Sequence, residues 1–185
     1  MDKLLEDVNK IRKDWFKQNK RMSSTYIPSV HDKIKFNINY YLSQVSNHFG
    51  FDTALVLDSD DLGTSVVLKA SGFQEKNIHI PNYYKKSTEY RMMKKRLKNI
   101  AVFPISVDDY IGAYIESKST RSFRTELQEK YNETKYDVKP RLIQPLPQRP
   151  EAFDFVYLDY CGEYKTNKDT IEMLFEEDVL ADEFV

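Results

Sequence analysis

Cysteine is almost absent from this sequence, since Cys161 is the only one among 185 residues. A single cysteine excludes an internal disulfide framework and any zinc site built from several thiolates. The three histidines, His31, His48 and His79, are scattered without the spacing of paired metal ligands. The sequence therefore predicts no metal centre.

Long apolar runs are also missing, because no stretch approaches the roughly 18 apolar residues of a membrane span. The residues from Met1 to Asp7 lack the apolar core of a signal peptide. A formal net charge of -1 provides no general attraction to nucleic acid or to an anionic membrane. We therefore expect a soluble, intracellular protein without a membrane partner. Glycine is scarce at five residues, and tyrosine and phenylalanine are frequent, a bias common in AT-rich genomes such as those of large DNA viruses.

The sequence does contain short apolar runs that alternate with amphipathic helical patterns. The runs at 54–57, 78–80, 100–103 and 153–158 are typical of strands buried on both faces. Strands that alternate with helices predict βαβ units, right-handed crossovers and a mainly parallel sheet. The expected fold class is therefore a three-layer α/β domain.

Apolar residues recur at helical spacing in seven segments of the chain. In chain order, the predicted helices lie at about 4–15, 30–48, 64–72, 86–98, 108–117, 123–131 and 169–180. The first two precede the first strand, and Thr64 and Ser65 are suited to cap the third. A loop with four prolines, Pro140 to Pro150, leads into the fourth strand, and residues 183–185 are expected to begin a fifth.

Polar residues follow the predicted strands, where open α/β sheets bind their ligands. They are Asp58-Ser59-Asp60-Asp61, Asn82, Ser106 with Asp108-Asp109, and Asp159-Tyr160-Cys161-Gly162. We expect the functional cleft where the strands that lead to Asp58 and Asp159 stop. His79 lies within a strand and is interpreted as a core or edge histidine.

This order of elements resembles the class I S-adenosylmethionine-dependent methyltransferases, which have a Rossmann-like fold. Leu55-Val56-Leu57-Asp58, followed by a glycine-bearing turn and a helix, is similar to the first motif of that family. Ile78 to Asn82, Phe103 to Asp109 and Phe153 to Tyr164 lie where its second, third and fourth motifs are found. The first and fourth strands of that family are neighbours, so the resemblance brings Asp58 and Asp159 to one cleft.

The resemblance implies a division of the chain and a set of site residues. Residues 1–50 would form an N-terminal helical segment, and residues 51–185 a Rossmann-like domain that ends before the family's sheet is complete. The residues implied to bind S-adenosylmethionine are Asp58, Gly63, Asn82 and Asp108. The residues implied to line the methyl-transfer side are Asp159, Tyr160 and Cys161. The methyl acceptor is open and includes nucleic acid.

Departures from the family's pattern keep other functions open. Its three glycine positions hold Asp60, Leu62 and Thr64 here. An alternative is therefore a non-catalytic Rossmann-like module that binds nucleic acid or a protein. A basic cluster would contact nucleic acid, and an open sheet edge would contact a protein partner. The cluster consists of Lys85, Lys86, Arg91, Lys94, Lys95 and Arg96.

The carboxylates after the first strand indicate which cofactors the turn accepts and suggest one further enzyme class. Asp58, Asp60 and Asp61 would repel the pyrophosphate of a dinucleotide but tolerate the sulfonium of S-adenosylmethionine. The Asp58-x-Asp60 pair is also similar to that of the magnesium-dependent haloacid dehalogenase-type phosphatases, in which the first aspartate is the nucleophile. Asp61 and Leu62 interrupt that family's pattern before Gly63, so the phosphatase is a minor alternative.

Overall fold

A four-stranded, all-parallel sheet lies at the centre of the fold, with strand order β3-β2-β1-β4. The computed structural model describes residues 30–58, 62–81, 99, 101–118, 122–134, 148–158, 164–182 and 184. For residues 30–36 and 164–166 it describes the backbone alone. The strands are β1 (Ala54–Leu57), β2 (Ile78–Pro81), β3 (Ala101–Phe103) and β4 (Phe155–Leu158). The helices are α1 (Val30–Phe49), α2 (Gly63–Ala70), α3 (Val107–Glu116), α4 (Phe123–Glu133) and α5 (Tyr164–Glu176), with a 3-10 turn at Glu75–Asn77.

The strand β1 pairs along its whole length with β4, from the Ala54–Phe155 pair to the Leu57–Leu158 pair. Its other neighbour is β2, which pairs in turn with β3. Because all four strands are parallel, their carboxyl ends lie at one edge of the sheet. The chain therefore leaves β1 and β4 at the same level of the sheet.

Hydrophobic cores cover both faces of the sheet, because side chains alternate between the two faces of each strand. Ala54 and Val56 of β1 belong to one core, which contains Leu68 of α2 and contacts Leu42 of α1. Leu55 belongs to the other core. That second core draws on Tyr110 and Ile111 of α3, Leu127 of α4 and Leu174 of α5. The expected three-layer, parallel, Rossmann-like α/β fold is confirmed.

Several predicted elements are confirmed nearly to the residue. The strand β1 begins and ends where its apolar run does, and the helix α1 covers the predicted range. The strand β2 extends one residue farther than expected, because Pro81 still pairs with Phe103. The predicted helices at 4–15 and 86–98, and most of the proline loop, lie outside the described residues.

The prediction for the last helix was wrong at both ends. The helix α5 begins at Tyr164, five residues before the expected start, and ends at Glu176. Its first turns are polar, so apolar periodicity could not reveal them. Leu180 was assigned to this helix, but it forms a parallel bridge to Phe153 just before β4.

A fifth strand was expected to begin at Glu183, but the chain already pairs with the segment before β4 at residues 179–181. The backbone N–H of Phe153 donates to the carbonyl of Val179 at 2.9 Å, and that of Ala181 donates to the carbonyl of Phe153 at 3.0 Å. These bonds place residues 179–181 beside Phe153, just before the amino end of β4. Glu183 and Val185 lie outside the described residues.

Candidate ligand-binding crevice

The strands β1 and β4 flank the point at which the connections of the sheet change face. The helix after β1, α2, packs on the face that carries Val56. The helix after β4, α5, packs through Leu174 on the face that carries Leu55. The helices that follow these two neighbouring strands therefore lie on opposite faces of the sheet. This arrangement creates a crevice at the carboxyl edge of a parallel sheet, where such folds bind ligands.

Asp58 holds the turn between β1 and α2. Its side chain is buried, and its carboxylate accepts hydrogen bonds at the start of α2. Oδ1 accepts from the backbone N–H of Thr64 at 3.2 Å. Oδ2 accepts from the backbone N–H of Ser65 at 2.8 Å and from its hydroxyl at 2.7 Å. Free N–H groups and the helix dipole both favour a negative charge at this place. The carboxylate therefore fixes the angle at which α2 leaves the sheet.

The start of α2 differs from the expected one. Thr64 and Ser65 were predicted to cap the helix, but both lie within its first turn and donate to Asp58. The N-cap position is Leu62, which has no capping side-chain bond and adopts the left-handed conformation at φ 56° and ψ 38°. That conformation costs a non-glycine residue about 1–2 kcal/mol. Burial of the Leu62 side chain in the core beneath α2 offsets this cost.

Gly63, which the resemblance implies to bind the cofactor, does not take the left-handed conformation of this turn. It is the first residue of α2, while Leu62 takes the positive φ value. The structure brings Gly63 and Asp58 together at one turn. Their assignment to a cofactor stays a prediction.

The carboxylate of Asp58 also decides which ligand charge this turn accepts. Phosphate groups bind at a helix N-terminus through the same N–H groups that Asp58 already engages. A phosphate would have to displace a buried carboxylate or sit beside it, and like charges repel at that distance. The β1–α2 turn therefore suits a cationic or neutral ligand.

Residues of α1 form a second polar layer behind this turn. Asn39 is buried, and its side-chain amide donates to the hydroxyl of Thr64 at 2.8 Å. The Oδ1 atom of Asn39 is buried and has no hydrogen-bond partner among the residues that the structure describes. The hydroxyl of Ser43 lies 2.6 Å from that of Ser71 at the other end of α2. Sequence reasoning missed these residues, although polar side chains at 39, 43 and 46 repeat at helical spacing beside the apolar stripe.

Asp108 lies in the first turn of α3, where it contacts α5. The hydroxyl of Thr170, a buried residue of α5, donates to Asp108 Oδ1. Ser106 caps α3 by accepting from the backbone N–H of Asp109 at 3.0 Å, and its hydroxyl donates to Asp109 Oδ2 at 2.8 Å. Asp108 therefore joins two helices that share one face of the sheet, whereas Asp58 and Gly63 lie at the start of α2 on the other face.

The remaining candidate residues lie outside the described part of the chain. They are Asn82, Asp159, Tyr160, Cys161, the acidic residues Asp60 and Asp61, and all six members of the basic cluster. Their predicted roles stay predictions. Within the described ranges, no group of three or more His, Cys, Asp or Glu side chains could hold a metal ion.

His79 belongs to the core, as expected. Its Nδ1 lies 2.5 Å from the hydroxyl of Tyr110, and its ring packs against those of Phe103 and Phe153. Burial lowers the pKa of His79 from 6.5 to about 3, because a charged imidazole would lose its hydration. The ring is therefore neutral at physiological pH and is a packing element of the sheet.

In comparisons with known proteins, no family model, no curated protein and no solved structure matches this chain. None of the helices in the described ranges has the length and apolar character needed to cross a membrane.

Proposed function

We propose that this protein is a divergent S-adenosylmethionine-dependent methyltransferase-like protein that binds the cofactor in the crevice between β1 and β4. The observation that carries the proposal is the strand order β3-β2-β1-β4 in a parallel sheet. The methyltransferase resemblance requires the first and fourth strands to be neighbours, and β1 and β4 pair over all four residues of each strand. Composition alone does not specify that order.

The charge at the end of β1 supports the same ligand. The buried carboxylate of Asp58 engages the amide groups that a phosphate would need. A nicotinamide or flavin dinucleotide would bring its pyrophosphate to this place, and S-adenosylmethionine brings a sulfonium and an ammonium group. Opposite charges attract more strongly where water is partly excluded. The proposed cofactor therefore agrees with the electrostatics of the turn.

The proposal assigns the other residues by their place after each strand. Gly63 and Asp58 belong to the first turn, Asn82 follows β2, and Asp108 lies in the first turn of the helix after β3. Asp159, Tyr160 and Cys161 follow β4 and would face the transferred methyl group. The nucleophile that accepts the methyl group is left open.

Calorimetry with S-adenosylmethionine and S-adenosylhomocysteine tests the proposal on the full chain. We expect binding in the micromolar to millimolar range, with ATP binding far more weakly. Asp159→Asn should weaken binding about ten- to a hundred-fold, because a hydrogen bond to a charged group contributes about 1.5–3 kcal/mol. Asp154→Asn is the matched control, since Asp154 precedes the same strand at its amino end.

Two results would contradict the proposal. The first is no heat of binding at millimolar cofactor, which would leave the fold intact and favour a non-catalytic binding module. The second is equal loss of binding in the Asp159→Asn and Asp154→Asn variants. A module that binds nucleic acid would instead show an affinity that falls steeply with salt and depends on Lys94, Lys95 and Arg96.

A further inference from the structure

The helix α1 carries a row of exposed apolar side chains on the side away from α2. Its inner side contacts α2 through polar groups, with Asn39 bonded to Thr64 and Ser43 to Ser71. Its outer side shows large apolar residues that are 44–63% exposed. These residues, which we call the outer stripe, are Ile38, Tyr41, Val45 and Phe49. Tyr40 of α1 is buried and Leu42 packs against the core, so the outer stripe is a second apolar side, which an ordinary surface helix does not present to solvent.

The outer stripe is continuous along the helix. Its members are separated by three, four and four residues, so they lie on one side of α1. Eleven residues separate the first from the last, which corresponds to about 16 Å of helix at 1.5 Å per residue. A continuous row of this kind marks a contact surface, whereas single exposed apolar residues do not.

The sequence of the N-terminal segment, residues 1–29, contains a row of apolar residues that matches the outer stripe in length and spacing. Apolar residues at Leu4, Val8, Ile11 and Trp15 are spaced by four, three and four residues, with charged residues between them. They also span eleven residues, the same length as the outer stripe. An amphipathic helix of this kind has to bury its apolar side against another surface.

The connection between the two patterns is short enough to hold them together and long enough to reverse direction. Fourteen residues, 16–29, separate Trp15 from the start of α1. An extended chain of that length reaches about 46 Å, and helix pairs in bundles need only about 2–8 residues between them. A tethered segment also acts at a high effective concentration, which favours it over a second copy of the protein.

We propose that the apolar side of the N-terminal segment docks as a helix on the outer stripe, antiparallel to α1. The segment then covers α1 from outside and holds it against α2. Because Asn39 of α1 bonds to Thr64, and Thr64 bonds to Asp58, this contact supports the turn that borders the crevice. The inference does not depend on which ligand the crevice binds.

Trp15 makes the proposal directly measurable, since it is the only tryptophan in the chain. We expect the full chain to show blue-shifted Trp15 emission that acrylamide quenches weakly, at every protein concentration tested. Val45→Asp should shift the emission toward that of exposed tryptophan and increase quenching severalfold, and Tyr41→Asp should do the same. The matched control is Phe175→Asp on α5, because Phe175 is 64% exposed and lies on the other side of the sheet.

The proposal is overturned if Trp15 is fully accessible to acrylamide in the unmodified chain. It is also overturned if Val45→Asp and Tyr41→Asp change the emission no more than Phe175→Asp does. Shielding that appears only as the concentration rises, together with a dimer in light scattering, would assign the outer stripe to a second copy and equally reject the proposal. Circular dichroism on each variant ensures that folded proteins are compared, and the exposed positions of the substitutions favour folding.

Discussion

Replacing Asp58 by asparagine should destabilise the protein far more than the same change at Asp154. From the residues that the structure describes, each carboxylate accepts three hydrogen bonds, but the two distribute them differently. Asp154 accepts all three, from Asp52 and Thr53, on Oδ2 alone. An asparagine there keeps an oxygen in the same place. Asp58 uses both oxygens, so an asparagine must turn its NH₂ group toward either Thr64 or Ser65.

The magnitude follows from these contacts. An NH₂ group facing the backbone N–H of Thr64 leaves a buried donor without a partner, which costs about 1–3 kcal/mol. The bonds that remain lose the carboxylate charge at the N-terminus of α2, which costs about 2 kcal/mol more. We expect Asp58→Asn to lower the free energy of unfolding by about 4 kcal/mol, and Asp154→Asn by about 1 kcal/mol. The first value is a large part of the roughly 5–15 kcal/mol that stabilises a domain.

Urea denaturation followed by circular dichroism measures both variants. With a slope of about 2 kcal/mol per molar urea, Asp58→Asn should lower the midpoint by about 2 M and Asp154→Asn by about 0.5 M. Equal shifts in the two variants would refute the reasoning, because they would show that the distribution of bonds over the two oxygens does not matter. A shift below about 0.5 M for Asp58→Asn would show that the carboxylate does not hold α2.

Two further predictions concern the core and a helix cap. Because burial lowers the pKa of His79 to about 3, the unfolded chain binds a proton that the folded chain does not as the pH falls below about 6.5. The contribution of neutral His79 to the free energy of unfolding should be fully present above that pH and should decline by about 1.4 kcal/mol per pH unit below it. In urea titrations at pH 6 and pH 5, His79→Gln should therefore reduce the loss of stability between the two pH values by about that amount. Ser106→Ala should lower the free energy of unfolding by about 1 kcal/mol, because the Ser106 hydroxyl accepts from the backbone N–H of Asp109 and donates to its carboxylate. Ser106→Thr, which keeps the hydroxyl, should restore it when both variants are measured by urea denaturation.

The fold was predictable from the sequence because its strands are buried on both faces. Such strands are continuous apolar runs, and the run of β1 coincides with the strand itself. The start of α5 was not predictable, because its first turns lack apolar residues. The pairing of Leu180 with Phe153 was missed for a related reason, since the preceding helical pattern continues smoothly into Leu180 and only the tertiary contact ends it.

The position of Asp58 at the end of β1 was predictable from the sequence, but the hydrogen bonds around it were not. The sequence put Asp58 at the end of a buried strand, and the structure confirms that position. It could not show that Asp58 caps α2, because the donors lie six and seven residues away and the turn between them needs a left-handed leucine. Leucine rarely adopts that conformation, so no local pattern at Leu62 predicts it. The contribution of Asn39 comes from a separate helix and depends on how α1 packs.

These contacts separate two roles that an acidic residue can have at the edge of a sheet. Asp58 is buried and already accepts from Thr64 and Ser65, so its main effect on a ligand is to fix the turn and supply negative charge. Asp159 follows β4, and the proposal gives it direct contact with the ligand. Asp58→Asn should therefore lose cofactor binding together with stability, whereas Asp159→Asn should lose binding with an unchanged urea midpoint. Parallel calorimetry and denaturation on the two variants test this. A stable Asp58→Asn protein that fails to bind S-adenosylmethionine would show instead that Asp58 contacts the ligand itself.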